Sequence, residues 1–131
     1  MSRVPVVALP GDSPASLLEI AVAVARGAEA PAPEITIAAR PAATLLRQLP
    51  APQVRSAIES VIMARSLDVG LQWMHDAGVL AALLPELEAT VDFSQEAGRR
   101  HKDVWEHTKQ VVVQSVPNPL VRWAALLHDV G

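Results

Sequence analysis

The chain has 131 residues, is half hydrophobic and 19% charged, and carries a net charge of −3. That length suits one domain of ordinary size, and so apolar a composition at so small a net charge excludes a chain disordered throughout. The lack of cysteine excludes a disulfide framework and any thiolate site, and a pI near 5.7 argues against a strongly electropositive nucleic-acid surface.

In chain order, MSRVPVVALPGD is broken by Pro5, Pro10 and Gly11 before it could form a signal-peptide core. No later apolar run approaches the roughly 20 residues of a membrane span. A cytoplasmic protein that does not enter a membrane is therefore expected. Ser16 and Glu19 have capping-box spacing, which predicts a helix over Leu17–Arg26 with Gly27 as its stop. AEAPAPE (28–34) reads as a linker because each proline pushes its predecessor out of the helical region. EITIA then reads as a short extended piece, and Ala42–Gln48 as a helical turn or two ended by Pro50 and Pro52. Residues 1–50 thus form a Pro/Ala-rich region with one or two short helices, more loosely built than the rest of the chain.

From Gln53 the pattern is regular. Val54, Ala57, Ile58, Val61 and Ile62 recur at steps of three and four, which predicts an amphipathic helix over 53–66. Asp68–Ala77 is a second helix, with Gly78 as its stop, and the apolar VLAALLPEL comes next, with Pro85 starting a new turn. Residues 89–102 are polar and contain Gly98, so they read as a loop. Asp103 can cap the next helix, in which Val104, Thr108, Val111, Val112 and Ser115 share a face flanked by Trp105 and His107. PNP (117–119) forces a turn. Leu120–Val130 is apolar almost all round, as expected of a helix in the middle of a core. Aromatics make up only 3% of the chain, and no hairpin or repeat is visible. The expected fold class is all-α, a helical bundle in which Trp73, Trp105 and Trp123 pack between helices.

Of the four histidines, His128 is the most informative, because with Asp129 it ends an otherwise apolar helix. A buried, unpaired carboxylate would be costly there, and a divalent cation would remove the penalty. Antiparallel pairing of the last two helices brings His107 to the same end as His128 and Asp129. His75, beside Asp76, reads as part of a surface pair at a helix end.

The spacing of RRHKDVWEHTKQVVV to AALLHDVG resembles the HD-domain metal-dependent phosphohydrolases. The run from VRSAIESVIMARSLDVGLQWMHDAGVLAALLPEL through HKDVWEHT is similar to the neck and HD portion of bacterial tRNA nucleotidyltransferases and poly(A) polymerases. Together these cover roughly residues 53–131. The resemblance implies a neck-like segment over 51–90 and an incomplete HD domain over 91–131, a partial HD fold cut after the doublet that names the family. It implies His107, His128 and Asp129 as ligands of a divalent ion (Mn, Fe, Ni, Zn or Mg). Asp129 and His101 would take the catalytic roles, and Arg100 and Lys102 would hold phosphate at the rim. The family's last metal-binding Asp has no counterpart, nor does its nucleotidyltransferase head in residues 1–50. The activity implied is hydrolysis of a nucleotide or other phosphate ester. The alternative is a noncatalytic RNA-binding or scaffold module. The apolar final helix predicts a homo-oligomer.

Overall fold

Helix α1 (Pro14–Ala25) opens on Pro14, whose missing N–H costs nothing in a first turn. The computed structural model of the chain describes residues 13–97, 104–128 and 130, without the side chains of 92–97. Among these residues every regular element is helical, as the apolar spacing predicts. Ser16 is not the cap expected from its spacing to Glu19. The helix starts earlier, and the Ser16 hydroxyl donates to the Ser13 carbonyl at 2.7 Å.

The first third of the chain is not loosely built over its described residues, which begin at Ser13. Leu17, Ile20 and Val24 of α1 are at most 1% exposed and pack against α4 (Ala51–Ile62) and α5 (Leu67–Asp76). Burial of such side chains contributes about 1.5–3 kcal/mol each. Contact between α1 and α5 depends on Gly70. A Cβ at that position would lie 2.6 Å from the Ala25 Cβ, so any side chain would push the two backbones apart.

EITIA is helical, not extended. It lies in α2 (Pro33–Ala38), which has proline in its first turn and Glu34 placed to complement the helix dipole. Thr36 is buried there, and its hydroxyl oxygen accepts from Trp73 Nε1 at 3.0 Å. This contact between segments overrides the extended preference of the β-branched residues. A short α3 (Arg40–Ala43) and a 3-10 turn at Leu46–Gln48 come next. Gly78, in the left-handed region at φ +83°, separates α5 from α6 (Val79–Leu83) and fulfils its expected role as a stop.

Residues 89–97 are not a loop but the continuation of α7 (Pro85–Ala97). Thr90 and Val91 face inward, and the Thr90 hydroxyl donates to the Leu87 carbonyl at 2.7 Å. The remainder of the expected loop, 98–102, and the expected cap Asp103 lie outside the described residues. The last two helices are α8 (Val104–Gln114) and α9 (Pro119–Leu127), which pack against each other. Asn118 caps α9, accepting from the backbone N–H groups of Leu120 and Val121.

α9 is not enclosed on all sides. Ala125 and Leu126 face the core, while Leu120 is 78% exposed and Val121 and Leu127 are also exposed. Arg122 is buried in this helix. Its guanidinium donates to the carbonyls of Ile62, at the end of α4, and Ser115, just past α8. Arg40 and Arg47 act similarly, donating to the Asp76 carbonyl of α5 and the Ala82 carbonyl of α6. No helix among the described residues is long and apolar enough to cross a membrane.

Candidate functional site at the end of the α8–α9 hairpin

α8 and α9 run antiparallel, so the start of one meets the end of the other. This brings the rings of His107 and His128 together, edge to face, with centroids 5.8 Å apart. At metal–nitrogen distances of about 2.0–2.1 Å, two imidazoles sharing one ion have centroids roughly 5–6 Å apart. Both residues are exposed. His128 Nδ1 lies 2.7 Å from the Ala125 carbonyl. A carbonyl oxygen can only accept, so Nδ1 carries a proton, and in the neutral ring the lone pair is on Nε2. Metal-ligating histidines are commonly held this way, one nitrogen donating to a backbone carbonyl while the other coordinates. The two histidines therefore fit a divalent cation chemically.

Asp129, His101, Arg100 and Lys102, the remaining residues of the expected site, lie outside the described residues. Among the described residues, no group of three or more histidine or carboxylate side chains is placed to hold a metal.

Behind α8 lies a polar network that the sequence patterns did not reveal. Gln72 Oε1 on α5 accepts from both Trp105 Nε1, at 2.9 Å, and Lys109 Nζ, at 2.7 Å. Gln72 Nε2 donates to Asp76 Oδ1 at 3.1 Å. Lys109 also pairs with Glu106 at 2.8 Å, and its ammonium lies 5.3 Å from the centre of the Trp105 ring. The only advance signal was Lys109 itself, one turn beyond Trp105 on a face otherwise apolar.

His75 does not form a surface pair with Asp76. It reaches across to Glu88 on α7, with Nδ1 3.0 Å from Oε1, and both side chains are partly buried. The three tryptophans pack between helices as expected, and each also donates its indole N–H to a distant side chain: Trp73 to Thr36, Trp105 to Gln72 and Trp123 to Glu59. Two surface grooves lie elsewhere. One of about 390 Å³ lies between α1 and α4, and another of about 370 Å³ is floored by Val54, Ile58 and Leu84 with Arg47 and Arg55 in its lining. Neither is lined by His107 or His128.

The chain is similar to proteins named Multifunctional CCA protein. It is 38% identical to the one from Pseudomonas syringae pv. syringae (strain B728a) over 90 residues, 66% of this chain and 22% of that protein. It is 40% identical over 78 residues to the one from Pseudomonas aeruginosa (strain PAO1), covering 56% of this chain and 19% of the relative. The identity is 42% over 78 residues for the protein of Ectopseudomonas mendocina (strain ymp). The chain thus spans about a fifth of the length of these relatives. No protein-family profile matches it, and no solved structure does.

Proposed function

We propose that this chain is a helical module related to tRNA nucleotidyltransferases, and that the His107–His128 end of its last hairpin is part of an HD-type phosphohydrolase centre. The similarity to Multifunctional CCA proteins supports the first half of this reading. The observation that carries the second is the 5.8 Å approach of the two imidazoles, with the tautomer of His128 set by Ala125.

In this reading His107 and His128 hold a divalent ion (Mn, Fe, Ni, Zn or Mg) together with Asp129. When bound, such an ion lowers the pKa of a coordinated water and neutralises charge on phosphoryl oxygens. The chain's own contribution is placement: α8 presents the His107 ring, the residue that follows α9 presents that of His128, and the Ala125 carbonyl, accepting from Nδ1, orients the His128 ring so that Nε2 is the nitrogen left to coordinate. Asp129 and His101 take the catalytic roles, with Arg100 and Lys102 at the phosphate rim. The substrate is a nucleotide or another phosphate ester, and the setting is the cytoplasm. Both histidines are exposed, so a phosphate ester can reach them from solvent.

The test is titration with Mn²⁺, Ni²⁺ and Zn²⁺, followed by hydrolysis of a nitrophenyl phosphodiester. Wild type should bind one of these ions, and His107→Ala and His128→Ala should each weaken binding at least about tenfold. Absence of binding, or binding indifferent to both substitutions, overturns the metal reading.

A noncatalytic RNA-binding or scaffold role is the second reading, favoured by the exposed Arg40, Arg47, Arg55 and Arg65, which run from α3 to just past α4. It predicts retention of tRNA at low salt that weakens as salt rises. Self-association through the exposed apolar side chains of α9 is compatible with either role.

A further inference from the structure

We propose that Gln72, on α5, is a positioning residue that sets the rotation of α8 and thereby the placement of His107 against His128. The inference rests on the metal-centre reading for its functional meaning, but the positioning itself can be measured without a metal.

Residues two apart on an α-helix are about 200° apart around its axis, whereas residues four apart share a face. Trp105 and Lys109 share a face, and His107 lies midway between them along the chain, on the opposite side. The side of α8 that is fixed inward therefore dictates where His107 points. Trp105 is 3% exposed and Lys109 7%, and both donate to the same oxygen, Gln72 Oε1.

The amide orientation is set by its neighbours. Two donors face Oε1 and a carboxylate oxygen faces Nε2, so a flipped amide would place N–H against N–H on one side and oxygen against oxygen on the other. Gln72 is in turn held on α5, which packs directly on α1 and α8. A single acceptor on a core helix thus holds both inward-facing polar groups that bracket His107. Losing it takes one acceptor from the buried indole N–H and one from an ammonium that retains Glu106, and α8 gains by rotating or shifting to replace the lost bonds.

Gln72→Leu removes the acceptor, whereas Gln72→Glu, made together with Asp76→Asn so that its second oxygen meets an amide N–H and not a carboxylate, keeps an acceptor for both donors. Two readouts are taken on each folded variant: the nuclear Overhauser contact between the His107 and His128 ring protons in the metal-free protein, and Zn²⁺ affinity by titration. Gln72→Leu should lose the ring contact and bind Zn²⁺ at least about tenfold more weakly. Gln72→Glu should retain the contact and stay within about twofold of wild type. If Gln72→Leu does not fold, Trp105→Phe and Lys109→Met remove the donors one at a time, and each should weaken the ring contact. A ring contact that survives in Gln72→Leu or in both donor variants, or that is lost in Gln72→Glu, overturns the proposal. If wild type binds no Zn²⁺, Mn²⁺ or Ni²⁺, the metal reading falls, while the ring contact still decides whether Gln72 positions His107.

Discussion

The α1–α5 contact and the α8–α9 hairpin join helices by different means. The first is steric: Gly70 against Ala25, with Leu17, Ile20 and Leu71 all buried. The second adds a few polar anchors, Gln72 beneath α8 and Arg122 within α9, to a narrower apolar seam that includes Val112 and Leu126, and it leaves Val116, Leu120 and Leu127 exposed. Where backbones touch, almost any added atom is excluded. Where hydrogen bonds hold a helix, its outer face can vary freely, and that is the part of the chain carrying the candidate site.

Three substitutions would sharpen this contrast. The largest effect is expected for Gly70→Val, which forces α1 away from α5 and should cost about 3 kcal/mol, read from denaturant unfolding. Stability within about 1 kcal/mol of wild type would mean that the close approach is not limiting. Arg122→Met should cost about 2 kcal/mol, because it strips a donor from each of two carbonyls at helix ends. A neutral result would show that packing rather than capping holds α9. The smallest effect is expected for Leu120→Ser, a change of less than about 0.5 kcal/mol at a 78% exposed position. In sedimentation the same variant should weaken any self-association, and unchanged association would place that contact elsewhere.

The sequence was most legible where a single helix carried its own signal. The spacing of Val54 to Ile62 and the stops at Gly27 and Gly78 correspond to α4, α1 and α5 within a few residues. Antiparallel pairing also placed His107 beside His128 correctly. It was least legible where a distant partner decided the outcome. Thr36 and its neighbours are helical, with Thr36 bonded to Trp73, and residues 89–97 of the polar run continue a helix where polarity and Gly98 suggested a loop. The reach of His75 to Glu88, and the bonds of Gln72 to Trp105 and Lys109, depend on which helices lie side by side, and local spacing carries no information on that.

The borrowed arginines have a consequence for how the molecule forms. α4, α6 and α8 have no basic residue in their last turns. Instead, Arg122 and Arg47 reach carbonyls at or near their ends, from 60 residues away in the case of Ile62 and 35 in that of Ala82. Because a helix of a dozen residues or fewer is marginal alone, each is completed only once the rest of the bundle is assembled around it. The fold should therefore appear and disappear as one cooperative unit, with excised fragments fraying at their carboxyl ends.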